Sequence, residues 1–303
     1  MTHQRLVSFV ETKPYKILSY SVKTLFENPS TPIEPDSFSM RHEYRIIDSC
    51  NGLLCLYDES QRCVRLCNPS TRLKSIRSPT VVEPEPHGII TNYGFGYDQV
   101  NDKYKFLVAI LNINGVKIYT FGEDSWTTIQ NFPCSPRRLL GKFVSGTLNW
   151  LADKGGVTSN KQCVILSFNL EKETYGELML PQNNADCKYI PILYVLNNCL
   201  CVFFLTSETR WVMYSMREYG VVESWTKLVT ISPEKYIPFR LNYLVEPLFI
   251  SENDVVLLID KGCDKIGLYN FSSGGSSYDF PLVTTKPGLD RCIYRESLVS
   301  PRR

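Results

Sequence analysis

The chain has 303 residues, of which 43% are hydrophobic and 21% charged, a composition typical of globular rather than disordered or fibrous proteins. Its net charge of +2 does not indicate the strongly basic surface that binds nucleic acid or an anionic membrane. The longest apolar run, 199–205, is much shorter than a membrane span. We therefore expect neither a nucleic-acid partner nor a membrane partner.

The N-terminus and the cysteines indicate the cellular compartment. The first ten residues, MTHQRLVSFV, lack the hydrophobic stretch of a signal peptide. Eleven cysteines, an odd number, without an export signal are typical of buried free thiols in a reducing compartment. The sequence predicts a cytoplasmic protein, a nuclear protein, or one present in both compartments.

Short β-branched and aromatic runs separated by polar turns recur along the chain, whereas helical periodicity is scarce. Six runs share an apolar-x-aromatic pattern that leads into a turn, and their equivalent residues follow one another at intervals of 46 to 55 residues. These residues are Tyr20, Cys67, Tyr119, Phe168, Tyr214 and Tyr269. A hydrophobic run that begins with turn residues precedes four of these six segments. The four runs are CNGLLCLY (50–57), SGTLNWLA (145–152), NNCLCVFF (197–204) and ENDVVLLI (252–259).

A repeat of about fifty residues with several short strands has the size of one four-stranded propeller blade. Six such repeats account for the whole chain, so the sequence predicts an all-β, kelch-like β-propeller of about six blades with little helix. Residues 1–45 are interpreted as N-terminal strands that contribute to the first or last blade, and residues 46–303 as the rest of this single domain. A β-sandwich or a pair of barrels with accidental spacing is the alternative.

Several local motifs have structural interpretations. Asn51-Gly52 is a strong type I′ hairpin signal, and Asn68 opens an Asx turn. Gly94 and Gly96 are typical of strand glycines that allow a neighbouring backbone to approach closely. Three tryptophans fall at equivalent end-of-strand positions and are expected to wedge between blades: Trp126, Trp150 and Trp225.

The sequence contains only weak signals for a metal site or a hydrolase site. The spacing of Cys50, Cys55, Cys63 and Cys67 is loosely zinc-like, but buried packing of these thiols is the better interpretation. The three histidines, His3, His42 and His87, lie in polar or proline-rich connecting segments and not beside a nucleophile, which argues against hydrolase chemistry.

The sequence also gives no good signal for nucleotide binding or for acid–base catalysis. Neither a dinucleotide-binding nor a P-loop motif occurs, and the carboxylates of Glu171 and Glu173 are interpreted as solvated groups of a polar turn. The sequence therefore predicts a protein that is not an enzyme, with no catalytic residues, no metal site and no cofactor.

Six stretches in fixed order resemble the plant F-box-associated domain, a family that includes F-box/kelch-repeat and S-locus F-box proteins. They are IIDSCNGLLCLYD (46–58), LCNPSTR (66–72), YGFGYDQVNDKYKFL (93–107), GTLNWLAD (146–153), ILSFNLEKETYGEL (165–178) and SWTKL (224–228). The resemblance runs from about Leu18 to Ser300. It implies a propeller that recruits a protein substrate for ubiquitination by an SCF-type E3 ligase, in which other subunits supply the chemistry.

The helical F-box pattern that precedes this domain in the family is not found in the 303 residues. Met1 is followed directly by THQRLVSF, which looks like the first strand after that segment. We therefore expect binding to a Skp-type adaptor only if an F-box is present upstream. The expected partner of the chain itself is a protein substrate whose identity the sequence does not define.

Loops whose length varies between repeats are the expected contact surface, because binding residues concentrate on loops held by a rigid scaffold. Tyr, Trp and Arg are the residue types that most often anchor interfaces. On this basis the predicted partner-binding residues are Arg210, Trp211, Tyr236, Phe239 and Arg240. Two other functions stay open: a propeller that binds carbohydrate or a small ligand and, less favoured, a propeller enzyme.

Overall fold

A computed structural model describes residues 3–10, 13–28, 34–81, 90–111, 115–154, 162–181, 191–205, 211–231, 245–253, 255–260, 265–270, 278–280 and 291–301. These residues form six sheets, one short α-helix and one turn of 3-10 helix. The predicted all-β fold with about six repeated sheets and little helix is confirmed. In this part of the chain, no helix is long and apolar enough to cross a membrane.

The chain divides into two compact units, the first made of Met1–Ser60, Arg65–Ser75 and Ile231–Arg302. Sheet 1 consists, in hydrogen-bonding order, of β24 (Arg291–Arg295), β1 (Gln4–Val10), β2 (Lys16–Ser21) and β3 (Asp36–Ser39). Sheet 2 consists of β4 (Arg45–Cys50), β5 (Leu53–Asp58) and β6 (Cys63–Cys67), the first two residues of β6 belonging to the second unit. Sheet 6 consists of β20 (Val245–Ile250), β21 (Val255–Asp260), β22 (Lys265–Asn270) and β23 (Tyr278–Phe280). Helix α1 (Val22–Glu27) follows β2, and the Ser21 hydroxyl caps it by accepting from the Thr24 amide at 3.3 Å.

The second unit consists chiefly of Gln61–Val64 and Ile76–Thr230. Sheet 3 consists of β7 (Ile90–Asp98), β8 (Lys103–Ile110), β9 (Val116–Thr120) and β10 (Trp126–Ile129). Sheet 4 consists of β11 (Ser135–Pro136), β13 (Thr147–Lys154), β14 (Gln162–Asn169) and β15 (Thr174–Leu178), and β12 (Lys142–Val144) also pairs with β13. Sheet 5 consists of β16 (Ile192–Leu196), β17 (Cys199–Leu205), β18 (Trp211–Met216) and β19 (Trp225–Ile231).

The sequence repeat coincides with the sheets. The six apolar-x-aromatic segments are the third strand of each sheet: β2, β6, β9, β14, β18 and β22. The four hydrophobic runs before them are second strands: β5, β13, β17 and β21. The period of about fifty residues is thus one sheet, and the alternative of accidental spacing is not supported.

The sequences of these strands are apolar at successive positions because both faces of each strand are buried. In β1, Leu6 packs into a core cluster with side chains of sheet 6, whereas the next residue, Val7, packs into a cluster with side chains of sheet 2. In the second unit, Trp150 of β13 faces side chains of sheet 3, whereas Leu151 faces those of sheet 5. A sheet placed between two others therefore needs apolar residues at successive positions.

In several sheets, a tight turn that requires positive φ leads into the second strand. Asn51 and Gly52 have φ values of +50° and +79° between β4 and β5, which confirms the predicted type I′ geometry. Two other turns also have positive φ at both positions: Ser145-Gly146, between β12 and β13, with +49° and +75°, and Asn197-Asn198, between β16 and β17, with +49° and +60°. The turn is thus a repeated feature of the sheets.

The two strand glycines of β7 make room for side chains rather than for a neighbouring backbone. A Cβ on Gly94 would lie 2.6 Å from Cδ1 of Leu148, and one on Gly96 would lie 2.7 Å from Cδ1 of Leu170 and still closer to the Phe143 ring. The sequence interpretation was right about the close approach and wrong about the group that approaches. The adjacent sheet 4 packs its side chains directly onto the β7 backbone.

Three aromatic residues on the fourth strands of sheets 3, 4 and 5 reach back to carbonyl groups 45 to 47 residues earlier in the second unit. Trp126 Nε1 donates to Pro79 O at 2.9 Å, Tyr175 OH to Gln130 O at 3.0 Å, and Trp225 Nε1 to Met179 O at 3.1 Å. Trp126 and Trp225 begin their strands as expected. Trp150 does not, since it lies in the middle of β13 and is fully buried.

Removing one of these hydrogen bonds should weaken the second unit measurably. Tyr175→Phe deletes only the hydroxyl that donates to Gln130 O, so we expect a loss of about 1 kcal/mol of unfolding free energy. Urea unfolding measures this loss, and Tyr97→Phe, whose hydroxyl bonds to Asp102 within one exposed turn, is the matched control. If Tyr175→Phe is as stable as wild type, the hydrogen bond from Tyr175 to Gln130 O does not stabilise the unit.

Candidate functional site

An ion cluster with a buried Asp–Lys pair lies where sheets 3 and 4 adjoin. Nζ of Lys105 lies 3.2 Å from Oδ2 of Asp98 and 3.0 Å from Oε1 of Glu173, and it donates to the Leu170 carbonyl at 2.6 Å. The side chains of Asp98 and Lys105 are 0% and 8% exposed. Glu173 lies in the exposed turn between β14 and β15, as the sequence indicated, and its carboxylate also pairs with the buried Lys105. Because each of the three charges has a partner, the cluster holds the two sheets together.

A second polar network joins sheets 4 and 5. The Tyr219 hydroxyl donates to Oδ1 of Asn149 at 2.8 Å, and the Asn149 amide donates to the Thr147 hydroxyl at 3.0 Å. Asn149 is completely buried. Burial raises the pKa of Tyr219, against the lowering effect of its hydrogen bonds. The network satisfies buried polar groups, which is a structural role.

The cysteines pack as apolar core groups. Cys50, Cys55, Cys63 and Cys67 are all buried, and burial raises the pKa of Cys67 to about 11. Zinc binds the thiolate form, which this environment disfavours. Among the described residues, no group of three or more His, Cys, Asp or Glu side chains is placed to hold a metal ion.

A cleft of about 460 Å³ opens in the first unit, and we refer to it as the loop cleft. Three stretches surround it: residues 13–15 before β2, the segment between β3 and β4, and the turn that follows β5. Its lining residues are Lys13, Tyr15, Arg41, His42, Glu43, Tyr44, Arg45, Asp58, Glu59 and Ser60. Mixed charge and aromatic residues on loops held by rigid strands are typical of a binding surface.

Packed aromatic rings fix the wall of the loop cleft. Tyr15 stacks on Phe9 at a centroid distance of 6.1 Å, and Tyr44 meets the same Phe9 edge-on at 6.4 Å. His42 in turn lies edge-on to Tyr44 at 6.3 Å. Because these rings already hold one another in place, a partner binding here would order few additional side chains.

The loop cleft contains a histidine and a carboxylate that the sequence did not bring together. Nδ1 of His42 lies 3.9 Å from Oδ2 of Asp58, whose side chain is 1% exposed. The Ser60 hydroxyl donates to Asp58 at 2.7 Å. A catalytic triad needs the serine hydroxyl on the histidine instead, so these three residues are not arranged as a hydrolase site.

A second depression of about 770 Å³ lies along the outer strands β10 and β15 of the second unit. Its two carboxylates are both in ion pairs, Glu173 with Lys105 at 3.0 Å and Glu177 with Lys154 at 2.7 Å. It therefore presents no unmatched charge to a partner. The loop cleft is the stronger candidate for this reason.

The partner-binding residues predicted from the sequence lie almost entirely outside the described residues. This applies to Arg210, Tyr236, Phe239 and Arg240. Trp211 begins β18, where its backbone pairs with Leu205 of β17. All five stay predictions. The loop cleft was missed, although the segment RHEYR (41–45) combines the basic and aromatic residues that interfaces favour.

The fold and its repeated strands agree with a known family. The chain matches the model described as "F-box associated beta propeller domain" over residues 8–301. It therefore belongs to this family of β-propeller domains, and its six sheets correspond to propeller blades.

Individual relatives agree with the family assignment. An F-box/kelch-repeat protein of Arabidopsis thaliana is 26% identical, in a match that covers 96% of this chain and 79% of that protein. The F-box protein CPR1 of the same plant is 25% identical over 75% of this chain and 61% of its own length. A chain in the crystal structure of the nidogen/laminin complex has a TM-score of 0.53 at 10% identity, covering 97% of this chain and 99% of that one, which is a likeness of fold alone.

Proposed function

We propose that the chain is a non-catalytic recognition module that holds a target protein for an SCF-type E3 ubiquitin ligase. The family match over residues 8–301 carries this proposal, and the relatives that share the domain are named F-box proteins. The mechanism is positional. The propeller fixes the target, and other subunits of the ligase supply the chemistry.

The distribution of polar groups supports a binding role. Asp98, Lys105 and Asn149 are buried, and their polar groups bond to other groups of the protein, so these clusters stabilise the sheets rather than face a substrate. The loop cleft, in contrast, presents exposed charged groups beside the half-buried ring of Tyr15. We therefore place the target contact at the loop cleft.

Adaptor binding tests the proposal that this chain recognises the target whereas an F-box binds the adaptor. Residues 1–303 alone should not co-precipitate a Skp-type adaptor, whereas the same residues fused in frame to the F-box segment of a relative should. The F-box segment alone is the matched control for expression and adaptor binding. A robust adaptor complex formed by residues 1–303 alone would contradict the proposal that this part of the protein only recognises the target.

Target turnover tests the receptor role itself. Proteins that proximity labelling marks near residues 1–303 in plant cells should gain ubiquitin and fall in abundance when the F-box fusion is expressed, and proteasome inhibition should restore them. A fusion with an F-box defective in adaptor binding should leave them unchanged. If the active fusion changes the ubiquitination of none of the labelled proteins, the proposed function is wrong.

A further inference from the structure

A short basic segment with an exposed serine lies at one edge of sheet 4. Its sequence is SPRR (135–138), and its first two residues form β11, an end strand of the sheet. Ser135 is exposed, and its hydroxyl makes no hydrogen bond within the described part of the chain. The residue before a proline favours extended backbone. The segment therefore presents a free hydroxyl on an extended strand at the sheet edge.

The residues after this serine are those that one class of protein kinase recognises. Proline-directed kinases select a proline directly after the acceptor serine, and the cyclin-dependent members also select a basic residue three positions after it. Pro136 and Arg138 occupy these two positions. The guanidinium of Arg138 is partly exposed and makes no ion pair with any residue that the structure describes. It is therefore available to a carboxylate of the kinase.

The surroundings of Ser135 provide a cation for a phosphate group. Ser135 lies opposite Asp153 in the antiparallel pairing of β11 with β13, and the Arg137 amide extends this pairing by donating to the Leu151 carbonyl at 2.8 Å. Because side chains alternate between the two faces of a strand, those of Ser135, Arg137 and Asp153 lie on one face. Nε of Arg137 donates to Oδ1 of Asp153 at 2.6 Å. A phosphate on Ser135 would lie opposite the carboxylate of this ion pair and within the same face as its cation.

The same four residues occur a second time, in a different structural setting. SPRR also spans 300–303, but there the serine is half-buried and Pro301 is buried. Ser78-Pro79 has a buried serine and is not followed by a basic residue at the third position. Another match, SPEK (232–235), begins at a serine outside the described residues. Among the serine–proline pairs that the structure describes, Ser135 alone combines the pattern with an exposed serine.

We infer that Ser135 is a phosphorylation site for a proline-directed kinase. In this reaction the Ser135 oxygen attacks the γ-phosphorus of ATP, and the bond from that phosphorus to the β-phosphate oxygen breaks. ADP leaves, and a carboxylate of the kinase accepts the hydroxyl proton. The product carries a charge of about −1.5 to −2 at pH 7, next to Arg137. This inference goes beyond the proposed receptor function and does not depend on it.

A site-resolved kinase assay on the purified chain tests the inference. With ATP and a cyclin-dependent kinase, Ser135 should gain phosphate about tenfold faster than Ser300, because modification of Ser300 requires local opening. Mass spectrometry of the digested chain measures both rates. Arg138→Ala should slow phosphorylation of Ser135 about tenfold, and Pro136→Ala should slow it as well. The matched control Ser300→Ala should leave the rate at Ser135 unchanged, and circular dichroism verifies that each variant is folded.

Three outcomes would overturn the inference. They are absence of phosphate at Ser135 while the kinase modifies a known protein substrate, equal rates at Ser135 and Ser300, and wild-type rates in both Arg138→Ala and Pro136→Ala. In plant cells treated with a phosphatase inhibitor, the expressed chain should also carry phosphate at Ser135, and its absence there would equally contradict the inference. Because the purified assay contains neither adaptor nor target, its result is separate from that of the receptor proposal.

Discussion

Replacing Lys105 by methionine should destabilise the protein by about 3–5 kcal/mol, because it leaves the buried carboxylate of Asp98 without its cation. The same change also removes the ion pair with Glu173 and the hydrogen bond to the Leu170 carbonyl. Urea-induced unfolding measures the loss. The matched control is Lys154→Met, which breaks an ion pair with Glu177 in which Lys154 is 53% exposed and should change stability by at most about 1 kcal/mol.

A double variant shows whether the loss comes from the unpaired charge. Asn at position 98 keeps a side-chain oxygen for the turn amides of Val100 and Asn101, which Asp98 now accepts at 3.2 Å each. D98N/K105M should therefore be more stable than Lys105→Met alone. If Lys105→Met has the same small effect as Lys154→Met, the cluster does not hold the sheets together.

The stability that the Asp98–Lys105 pair contributes should fall as the pH is lowered. Burial alone would raise the pKa of Asp98, but hydrogen bonds from Asn101 and the neighbouring Lys105 hold it below its ordinary value of 3.8. The charged form of Asp98 therefore contributes stability above about pH 4, which is lost as the pH falls through the folded-state value. The difference in unfolding free energy between wild type and Lys105→Met should shrink from pH 7 to pH 3.

Replacing Gly52 by alanine should cost about 2–4 kcal/mol, since two effects add at this position. The φ of Gly52 is +79°, which disfavours any Cβ, and an added Cβ would lie 2.6 Å from the Arg295 carbonyl oxygen and closer still to Ser297. The turn between β4 and β5 could then no longer fit against the segment after β24. Thermal and urea unfolding measure the cost.

Gly146 is the matched control for this substitution. Its φ of +75° is nearly the same, but an added Cβ would have nothing within 4 Å. Gly146→Ala therefore carries only the backbone cost of about 1–2 kcal/mol. If Gly52→Ala and Gly146→Ala destabilise equally, the close packing of the C-terminal segment against this turn contributes nothing.

That C-terminal segment is also held by Asn68. Its Oδ1 accepts from the Ser70 and Thr71 amides at 2.8 and 3.3 Å, which confirms the predicted Asx turn. Its Nδ2 donates to the carbonyls of Ser297 and Val299 at 3.0 and 2.8 Å. Local sequence could predict the first pair of bonds, because they lie within three residues. The second pair spans more than 200 residues and has no local signal.

The features that the sequence predicted well are those set by local chemistry. Third strands were recognised because a strand buried on both faces needs apolar residues at successive positions, as around Tyr20 and Phe168. The Asn51-Gly52 turn was recognised because few residue pairs accept positive φ at both positions. Both signals recur at the period of one sheet, which is why the number of sheets was predictable.

The features that the sequence did not predict depend on distant contacts. Lys105 is separated by 68 residues from Glu173, so neither its burial nor its pairing is visible in its own strand. Likewise, His42 and Asp58 meet only because the segment after β3 and the end of β5 border one cleft. The loop cleft is assembled from three connecting segments, none of which forms a recognisable motif alone.

Hydrogen–deuterium exchange of the chain, with and without a target protein identified by proximity labelling, tests the central claim most directly. If the chain is a receptor that binds its target at the loop cleft, the amides of residues 41–45 and 58–60 should exchange more slowly in the complex. Unchanged exchange in both segments, with protection confined to other surfaces, would contradict this account.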